Sequence, residues 1–251
     1  MISRRQLIGA AGAGAGGLLL GGCDRIGALP ATQSLLGLGN RATQILQQGV
    51  TDRAALAPEY GSGDLSPIFR VNGNGSVRSP DYAKLLANGF ADWRLQVRGL
   101  VARPLSLSLA DLGRMPARTQ ITRHDCVEGW SAIARWTGTP LRLILQQAGL
   151  STRARYILFR CADDFGGTPY YESIDLIDAF HPQTILAWAM NGRRLGVPHG
   201  APIRLRVERQ LGYKQAKYVM AIEAVESFVQ IAGGKGGYWE DVAGYQWYAG
   251  I

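Results

Sequence analysis

The residues most capable of chemistry surround Cys126, which lies between the polar run Arg123-His124-Asp125 and the acid, glycine and aromatic step Glu128-Gly129-Trp130. A thiol beside positive charge ionises more readily, and the thiolate is the form that binds metals or attacks electrophiles. Cys126 is therefore a candidate metal ligand or nucleophile. A single cysteine is also commonly a small buried hydrophobic residue, so the residue type alone leaves both interpretations open.

The segment around Cys126 resembles the molybdenum-ligating segment of the sulfite oxidase family of molybdopterin enzymes. The resemblance is carried by residues 123–131, RHDCVEGWS, and by residues 136–141, WTGTPL. It is closest to the single-domain bacterial branch that contains the periplasmic methionine sulfoxide reductases, and it implies an α+β fold with mixed β-sheets and surrounding helices. It also implies that Cys126 supplies the one protein thiolate to molybdenum, beside the two dithiolene sulfurs of the pterin. A soft thiolate suits a metal that changes oxidation state while an oxygen atom enters or leaves.

The second and longer part of the resemblance covers residues 166–228. In the family pattern, a histidine and an arginine bind the pterin and its phosphate, and a glycine-bearing loop with two lysines anchors that phosphate. Arginine can form a forked pair with phosphate, and glycine lets the backbone approach an anion closely. Together with an early asparagine, the cofactor-binding residues that the resemblance implies are Asn72, His199, Arg204, Lys214 and Lys217.

Some of these positions also have a simpler structural interpretation. Asn72 precedes Gly73, and an Asn-Gly pair is ordinary turn chemistry. Lysines in a turn are usually solvated when nothing else marks a site. Asp163 and Asp164 follow a buried strand, where sites are commonly built, and are weaker candidates for cofactor contact. We interpret Cys161 as a structural thiol.

Tyr170 lies where sulfite oxidases have a tyrosine on the substrate side. A phenol there can donate a hydrogen bond to an oxyanion or to a metal-bound oxygen. If this segment is a strand, Tyr170 and Tyr171 point to opposite faces, and we predict that Tyr170 faces the site. For a sulfite-type substrate, Arg123 or Arg135 could supply positive charge, and the sequence does not decide between them.

The hydrophobic pattern predicts the elements that position these residues. Residues 66–75, SPIFRVNGNG, indicate a strand that enters an Asn-Gly turn. The other predicted elements are a strand with Trp93, Leu95 and Val97 on one face, a helix capped by Ser108, a helix over 141–148 with Thr139 as its N-cap, Pro140 as its first helical residue and Gly149 as its terminator, a buried strand over 156–159, and a strand over 202–208.

We predict three regions along the chain. Residues 1–23 resemble a twin-arginine export signal with a lipobox, residues 24–65 form a connector with an amphipathic helix over about 33–48, and residues 66–251 form the molybdopterin-binding oxidoreductase domain. The lipobox would place a lipid anchor on Cys23 and the protein in the periplasm or cell envelope. Ordinary peptidase cleavage and an uncleaved anchor remain alternatives.

Composition excludes several classes of protein. The 251 residues carry a formal charge of +8, but the basic residues are scattered and do not alternate with aromatic ones, which argues against a nucleic-acid partner. We attribute the charge to attraction for anionic ligands, such as a phosphorylated cofactor. The three cysteines form no C-x-x-C pair and the three histidines are well separated, which argues against a zinc site or a disulfide scaffold.

The predicted function is therefore an exported molybdenum-pterin oxidoreductase that transfers oxygen atoms, by sulfoxide or N-oxide reduction or by sulfite-type oxidation. Its cofactor would be molybdenum-molybdopterin (Mo-MPT), and its substrate a small oxo-donor or oxo-acceptor. The sequence has no C-x-x-C-H haem motif, so the electron partner would be a membrane haem or quinone-linked subunit or a cytochrome c. The alternative is a non-catalytic envelope lipoprotein that binds a pterin or another anion. A hydrolase with Cys126 as nucleophile and His124 or His199 as base is a third hypothesis.

Overall fold

The computed structural model describes residues 52–251, together with residues 29, 31, 32 and 38. The predicted leader with Cys23, and nearly all of the helix predicted over 33–48, lie outside the described residues. Within the described ranges, no helix has the length and apolar character that crossing a bilayer requires.

Residues 54–251 form one compact unit. This unit includes residues 54–65, which the sequence analysis places in the connector. The reason is hydrogen bonding to the core: the Ala57 amide donates to the Gln183 side chain at 2.7 Å, and the Tyr60 amide donates to the Ile121 carbonyl at 2.9 Å.

Ten strands in this part of the chain form two five-stranded sheets. The strands are β1 (Leu95–Gly99), β2 (Leu105–Leu107), β3 (Arg118–Cys126), β4 (Trp130–Pro140), β5 (Tyr156–Phe165), β6 (Thr168–Asp175), β7 (Ile185–Met190), β8 (Arg193–Arg194), β9 (Arg204–Arg206) and β10 (Val219–Val225). The first sheet has the order β2-β1-β10-β5-β6, and β1 and β10 pair in parallel. The second has the order β3-β4-β7-β8, with β9 also paired to β7.

Five α-helices and three 3-10 helices accompany the strands in the described residues. The α-helices are α1 (Pro80–Ala87), α2 (Leu109–Arg114), α3 (Leu141–Ala148), α4 (Leu176–Phe180) and α5 (Tyr238–Ala243), and the 3-10 helices are Ser62–Asp64, Val197–His199 and Gly212–Lys214. With the two sheets, they give the predicted α+β fold.

The main core lies between the first sheet, helices α2 and α3, and strands β7 and β9 of the second sheet. Trp93, Leu95 and Val97 are all buried, as their alternation predicts, and so is the run Ile157–Phe159 in β5. Ser108 caps α2, since its hydroxyl accepts a hydrogen bond from the Asp111 amide at 3.1 Å.

Two predictions about local structure are wrong. Residues 66–75 form no strand, although the Ser66 amide donates to the Ile133 carbonyl at 3.0 Å. Thr139 does not cap α3; Pro140 occupies that position, and the Thr139 hydroxyl donates to the Leu112 carbonyl at 3.0 Å. The helix ends at Gly149, as predicted, where φ is 71° and a side chain would be strained.

Strand β9 departs from the predicted alternation in a way that matters for function. The pattern over 202–208 predicts one apolar and one polar face, yet Arg204 and Arg206 are both completely buried. Burying a guanidinium is costly unless the charge is paired. Two buried arginines on one short strand therefore mark a region in which positive charge must be compensated by the protein or by a ligand.

Candidate active site

A cavity of about 220 Å³ opens beside Cys126. Its walls come from six separate parts of the chain, which the two sheets bring together. They are the loop 72–74, the β3–β4 turn 126–128, the end of β5 with Asp163 and Phe165, Tyr170 on β6, the loop 212–217, and the aromatic residues Trp239 and Tyr245.

Cys126 ends β3 and is placed by a three-residue hairpin turn. Cys126 pairs with Trp130 across the hairpin, and the Gly129 amide donates to the Cys126 carbonyl at 3.0 Å. Gly129 has a φ of 83°, a conformation that favours glycine. The sequence predicts that nearby positive charge favours the thiolate. Burial instead raises the pKa of the Cys126 thiol, and the attraction of Arg204 is too weak to reverse this.

Arg204 and Lys217 are buried cations whose hydrogen-bond partners are uncharged. The Arg204 guanidinium lies 3.3 Å from the His199 carbonyl and 3.4 Å from the Asn72 side-chain oxygen. The Lys217 ammonium donates to the backbone carbonyls of Asn74 and Pro198. Burial, followed by the repulsion between the two cations, lowers the pKa of Lys217 to about 7. Burial and the neighbouring Arg206 lower the pKa of Arg204 to about 9.

Several buried polar atoms around these cations have no hydrogen-bond partner. They are Nε of Arg204, Nδ1 of His199 and Oδ1 of Asp163. Such atoms are rare in folded proteins, and each is a candidate contact for a ligand. Asp163 is only 4% exposed, and its other oxygen, Oδ2, accepts a hydrogen bond from the side-chain amide of Asn74 at 2.9 Å. Burial raises the pKa of the Asp163 carboxyl.

Lys214 occupies a different environment from Lys217. Its ammonium is completely buried, contacts Glu172 on β6, and donates to Glu240 on α5 at 2.7 Å. It does not line the cavity. The loop predicted to hold a phosphate with two lysines therefore directs only Lys217 towards the cavity.

Tyr170 and Tyr171 are both buried, on opposite faces of β6 as the strand geometry predicts. Tyr170 lines the cavity, but its hydroxyl donates to the Tyr213 carbonyl at 2.6 Å. Burial raises the pKa of Tyr170 well above its usual range. Its hydroxyl proton is thus already engaged by the backbone, whereas Tyr171 contacts Asp241 outside the cavity.

The arginines considered for a sulfite pocket lie away from the cavity. Arg123 donates to Asp125 at 2.9 Å, and Arg135 donates to Ser62 at 2.6 Å. His124 lies beside Arg206 of β9, whose guanidinium donates to its Nδ1 at 3.0 Å. Burial and the nearby arginines lower the pKa of His124 well below its usual range. A histidine held in this way is a poor general base for Cys126.

Comparison with known families identifies the family of proteins that shares this domain. Residues 83–230, more than half of the chain, match the oxidoreductase molybdopterin binding domain. The chain belongs to this molybdopterin-binding family. Membership confirms the predicted resemblance, the predicted fold and the predicted enzyme class, a molybdopterin-dependent oxidoreductase that transfers oxygen atoms. It does not support the alternative of a non-catalytic lipoprotein.

Two curated relatives and one solved structure resemble the chain. A protein of Azospira oryzae, whose assigned name is that of a protein-methionine-sulfoxide reductase subunit, is 38% identical and covers 94% of this chain and 83% of its own length. A protein-methionine-sulfoxide reductase catalytic subunit of Xanthomonas campestris is 36% identical over 56% of this chain and 47% of its own length. The sulfane dehydrogenase SoxCD from Paracoccus pantotrophus shares the fold, with a TM-score of 0.52 at 23% identity over 61% of this chain and 41% of its own.

The residues around the cavity fit a molybdenum pterin. The described residues contain no cluster of three His, Cys, Asp or Glu side chains able to hold a metal ion. Cys126 adds one soft sulfur at the cavity wall. Arg204 and Lys217 offer positive charge to a phosphate, and the unpartnered atoms of His199 and Asp163 suit the polar edge of a pterin.

Several residues of the site were not predicted from the sequence. Gln215 lines the cavity and lies within the predicted phosphate loop, so the loop itself was the available signal. Trp239 and Tyr245 come from the Gly- and aromatic-rich stretch after residue 232, whose irregular composition gives no periodic signal. Asp163, a weaker candidate at first, lines the cavity, whereas its neighbour Asp164 does not.

Proposed function

We propose that this chain is a sulfoxide reductase that acts on methionine sulfoxide or a closely similar neutral sulfoxide. Two relatives bear the name of protein-methionine-sulfoxide reductase subunits, and one of them matches 94% of this chain. The reaction takes the oxygen atom from sulfur and, with two electrons and two protons, releases a thioether and water. The other predicted substrates, sulfite and N-oxides, are the alternatives that the experiments must exclude.

The observation that carries the proposal is the charge around the cavity. Among the described residues that line it, Lys217 is the one cation, whereas Glu128 and Asp163 contribute carboxyl groups. Because Lys217 would bind the phosphate of the cofactor, the lining leaves only the two carboxyl groups to act on the charge of a substrate, and they would repel the sulfite anion. A sulfoxide is neutral overall, so this lining favours it.

The aromatic walls support the same choice. Phe165, Tyr170, Tyr213, Trp239 and Tyr245 all line the cavity. Aromatic surfaces bind alkyl groups and sulfur well, and they exclude water from the reacting atoms. An oxo-donor with methyl and methylene groups on sulfur matches these walls.

The cofactor would be held by Cys126, Asn72 and Lys217, which line the cavity, and by Arg204 and His199, which do not line it but lie next to Asn72. Cys126 would supply the protein thiolate to molybdenum, and Arg204 and Lys217 would bind the pterin phosphate. Asn72 and His199 would donate to or accept from the pterin ring. When bound, Mo-MPT supplies a two-electron centre that accepts the oxygen atom. Tyr170 would shape the cavity wall, since its hydroxyl is already bonded to the Tyr213 carbonyl.

We further propose that the enzyme is exported and receives electrons from a membrane partner. The support is the twin-arginine-like run at residues 3–8, because that pathway carries folded proteins with their cofactors already inserted. Cys23 would carry a lipid anchor. The partner would be a haem or quinone-linked membrane subunit, with a soluble cytochrome c as the alternative.

Metal analysis with a substrate panel tests the proposed function. The protein is purified from a host that makes molybdenum cofactor, and a molybdenum-starved culture is the control. We expect about one molybdenum per chain, lost in Cys126→Ala, and dye-linked reduction of methionine sulfoxide but no oxidation of sulfite. Folded protein without molybdenum, or turnover of sulfite alone, would refute the proposal.

Export is tested separately by cell fractionation. Replacement of Arg4 and Arg5 by lysine should retain the protein in the cytoplasm, and Cys23→Ala should release it from the membrane fraction into the periplasm. Unchanged fractions in both variants would refute the export and anchoring proposals without affecting the catalytic one.

A further inference from the structure

The chain after residue 232 is fastened to the rest of the domain by contacts from several elements. The Ser173 hydroxyl on β6 donates to the Gly236 carbonyl at 2.5 Å and accepts from the Trp247 indole at 2.9 Å. The Tyr213 hydroxyl donates to the Gln246 carbonyl at 2.6 Å, and the Leu211 amide donates to the Ala249 carbonyl at 2.9 Å. We call residues 233–251 the aromatic wall segment.

The buried ion cluster secures the helix of this segment. Lys214 connects Glu172 on β6 to Glu240 on α5, and all three side chains are completely or almost completely buried. Removing three charges from water costs free energy, which their mutual attraction offsets only when their geometry is fixed. The cluster therefore restricts how α5 can move. Trp239 directly precedes Glu240 and is held at the same place.

The helix then turns back so that a second ring joins the first. Gly244 ends α5 with a φ of 68°, which lets the chain reverse, and the Tyr245 amide donates to the Trp239 carbonyl at 3.3 Å. The rings of Trp239 and Tyr245 stack with centroids 5.8 Å apart at 24°. Phe165 on β5 packs against Trp239 at 5.0 Å, and Tyr213 packs against Tyr245 at 5.0 Å. The two wall residues are therefore held by rings from the core.

We propose that Trp239 and Tyr245 determine substrate specificity by binding the alkyl and sulfur part of the sulfoxide. This inference rests on the proposed function. Both rings line the cavity that Cys126 also lines, and both are only partly buried, so ring surface remains open to a ligand. The sulfur of a sulfoxide carries partial positive charge, and an aromatic face attracts such a group as well as the methyl beside it. Neither ring carries a charge that would bind an anion instead.

The test compares steady-state kinetics of the molybdenum-loaded enzyme and its variants. The substrates are N-acetylmethionine sulfoxide and dimethyl sulfoxide, and N-acetylmethionine serves as a competitive product inhibitor. In Trp239→Ala we expect the KM for N-acetylmethionine sulfoxide and the inhibition constant of N-acetylmethionine to rise roughly tenfold, with kcat changed by less than about twofold. Dimethyl sulfoxide, which has less alkyl surface, should lose less affinity. Tyr245→Ala should give a smaller shift in the same direction, and Trp239→Phe should retain most of the affinity.

Trp247→Phe is the matched control, since Trp247 belongs to the same segment but does not line the cavity. It should leave both constants unchanged, and the molybdenum content of every variant should equal that of the wild type. Unchanged constants in soluble, loaded Trp239→Ala and Tyr245→Ala would overturn the inference, while wild-type turnover of sulfoxides would leave the proposed function standing. Loss of affinity in Trp247→Phe equal to that in Trp239→Ala would also overturn it, because general loosening of the segment would then be the cause. A wild-type enzyme that reduces no sulfoxide would overturn both.

Discussion

Lys214 and Arg204 are both completely buried, yet their surroundings are opposite. Lys214 contacts two carboxylates, and although burial opposes its charge, Glu172 and Glu240 raise its pKa. Arg204 has a carbonyl and an amide oxygen at 3.3 and 3.4 Å, and burial lowers its pKa to about 9. The charge of Lys214 is compensated by carboxylates of the protein, whereas the charge of Arg204 has only uncharged hydrogen-bond partners and can interact with an anionic ligand.

The same difference distinguishes two lysines of one loop: Lys214 stabilises the fold, and Lys217 is available to bind a ligand. Lys214 and Lys217 are three residues apart, but the pKa of the first is raised and that of the second is lowered to about 7. Residue type does not distinguish the two lysines. The charge of the groups around each ammonium does, and the following four experiments test that distinction.

The largest effect should come from Lys214→Met. Removing the lysine leaves Glu172 and Glu240 buried without a counter-charge, and we expect the free energy of unfolding to fall by about 3–5 kcal/mol in urea titrations. The control is Lys214→Met combined with Glu172→Gln and Glu240→Gln, which should recover more than half of the loss. A single variant as stable as the wild type would show that the cluster is not an ion pair in solution.

Lys217→Met should have the opposite profile. We expect its molybdenum content to fall at least about tenfold, because one charge-assisted phosphate contact contributes more than about 1.4 kcal/mol. The free energy of unfolding of the cofactor-free protein should stay equal or rise, since a poorly compensated buried cation is removed. Folded Lys214→Met protein is the matched control and should keep its molybdenum. A Lys217→Met protein with full molybdenum content would contradict the assignment.

The pH dependence of stability should also distinguish the two lysines. The pKa of Lys217 is about 7 in the folded protein, against about 10.4 for an unfolded lysine. Between these values the unfolded chain binds more protons, so the free energy of unfolding rises with pH. From pH 7 to 8, below the range in which Arg204 with its pKa of about 9 titrates, the cofactor-free protein should gain about 1 kcal/mol from this group, and Lys217→Met should lose that slope. Lys214 stays charged in this range, so a slope that survives in Lys217→Met would assign it to another group.

The smallest effect should come from an exposed pair. Arg98 forms an ion pair with Glu223 across β1 and β10 at 2.5 Å, but its side chain is 57% exposed. We expect Arg98→Gln to lower the free energy of unfolding by less than about 1 kcal/mol, with unchanged molybdenum content. A loss as large as that of Lys214→Met would mean that burial does not control the strength of these pairs.

Much of the cofactor side could be predicted from sequence because its residues lie in short ordered motifs. Cys126, Asn72 and Lys217 line the predicted site, and Arg204 contacts Asn72 behind it. The motif for the phosphate loop did not reveal which lysine faces the cavity. The partners of Lys214 are 42 and 26 residues away, so no local pattern contains them.

The substrate side was less accessible to sequence reasoning. Trp239 and Tyr245 belong to a segment with little regular structure, and their position depends on contacts with β6 and the loop before Lys214. The alternation over 202–208 correctly predicted a strand, which forms over Arg204–Arg206, but it could not reveal that both faces of β9 are covered. Burial of Arg204 and Arg206 becomes visible only when β9 is placed beside β7.

Gly212 shows why a survival screen alone would misread this site. A Cβ at Gly212 would lie 2.5 Å from the His124 ring, closer than side-chain atoms approach in real proteins. In a saturation mutagenesis experiment, Gly212 and Cys126 should therefore look equally intolerant. The causes differ, because Gly212→Ala should deplete the folded protein, whereas Cys126→Ser should leave it abundant and without metal. Measuring abundance next to growth separates a residue that carries chemistry from one that only leaves room for it.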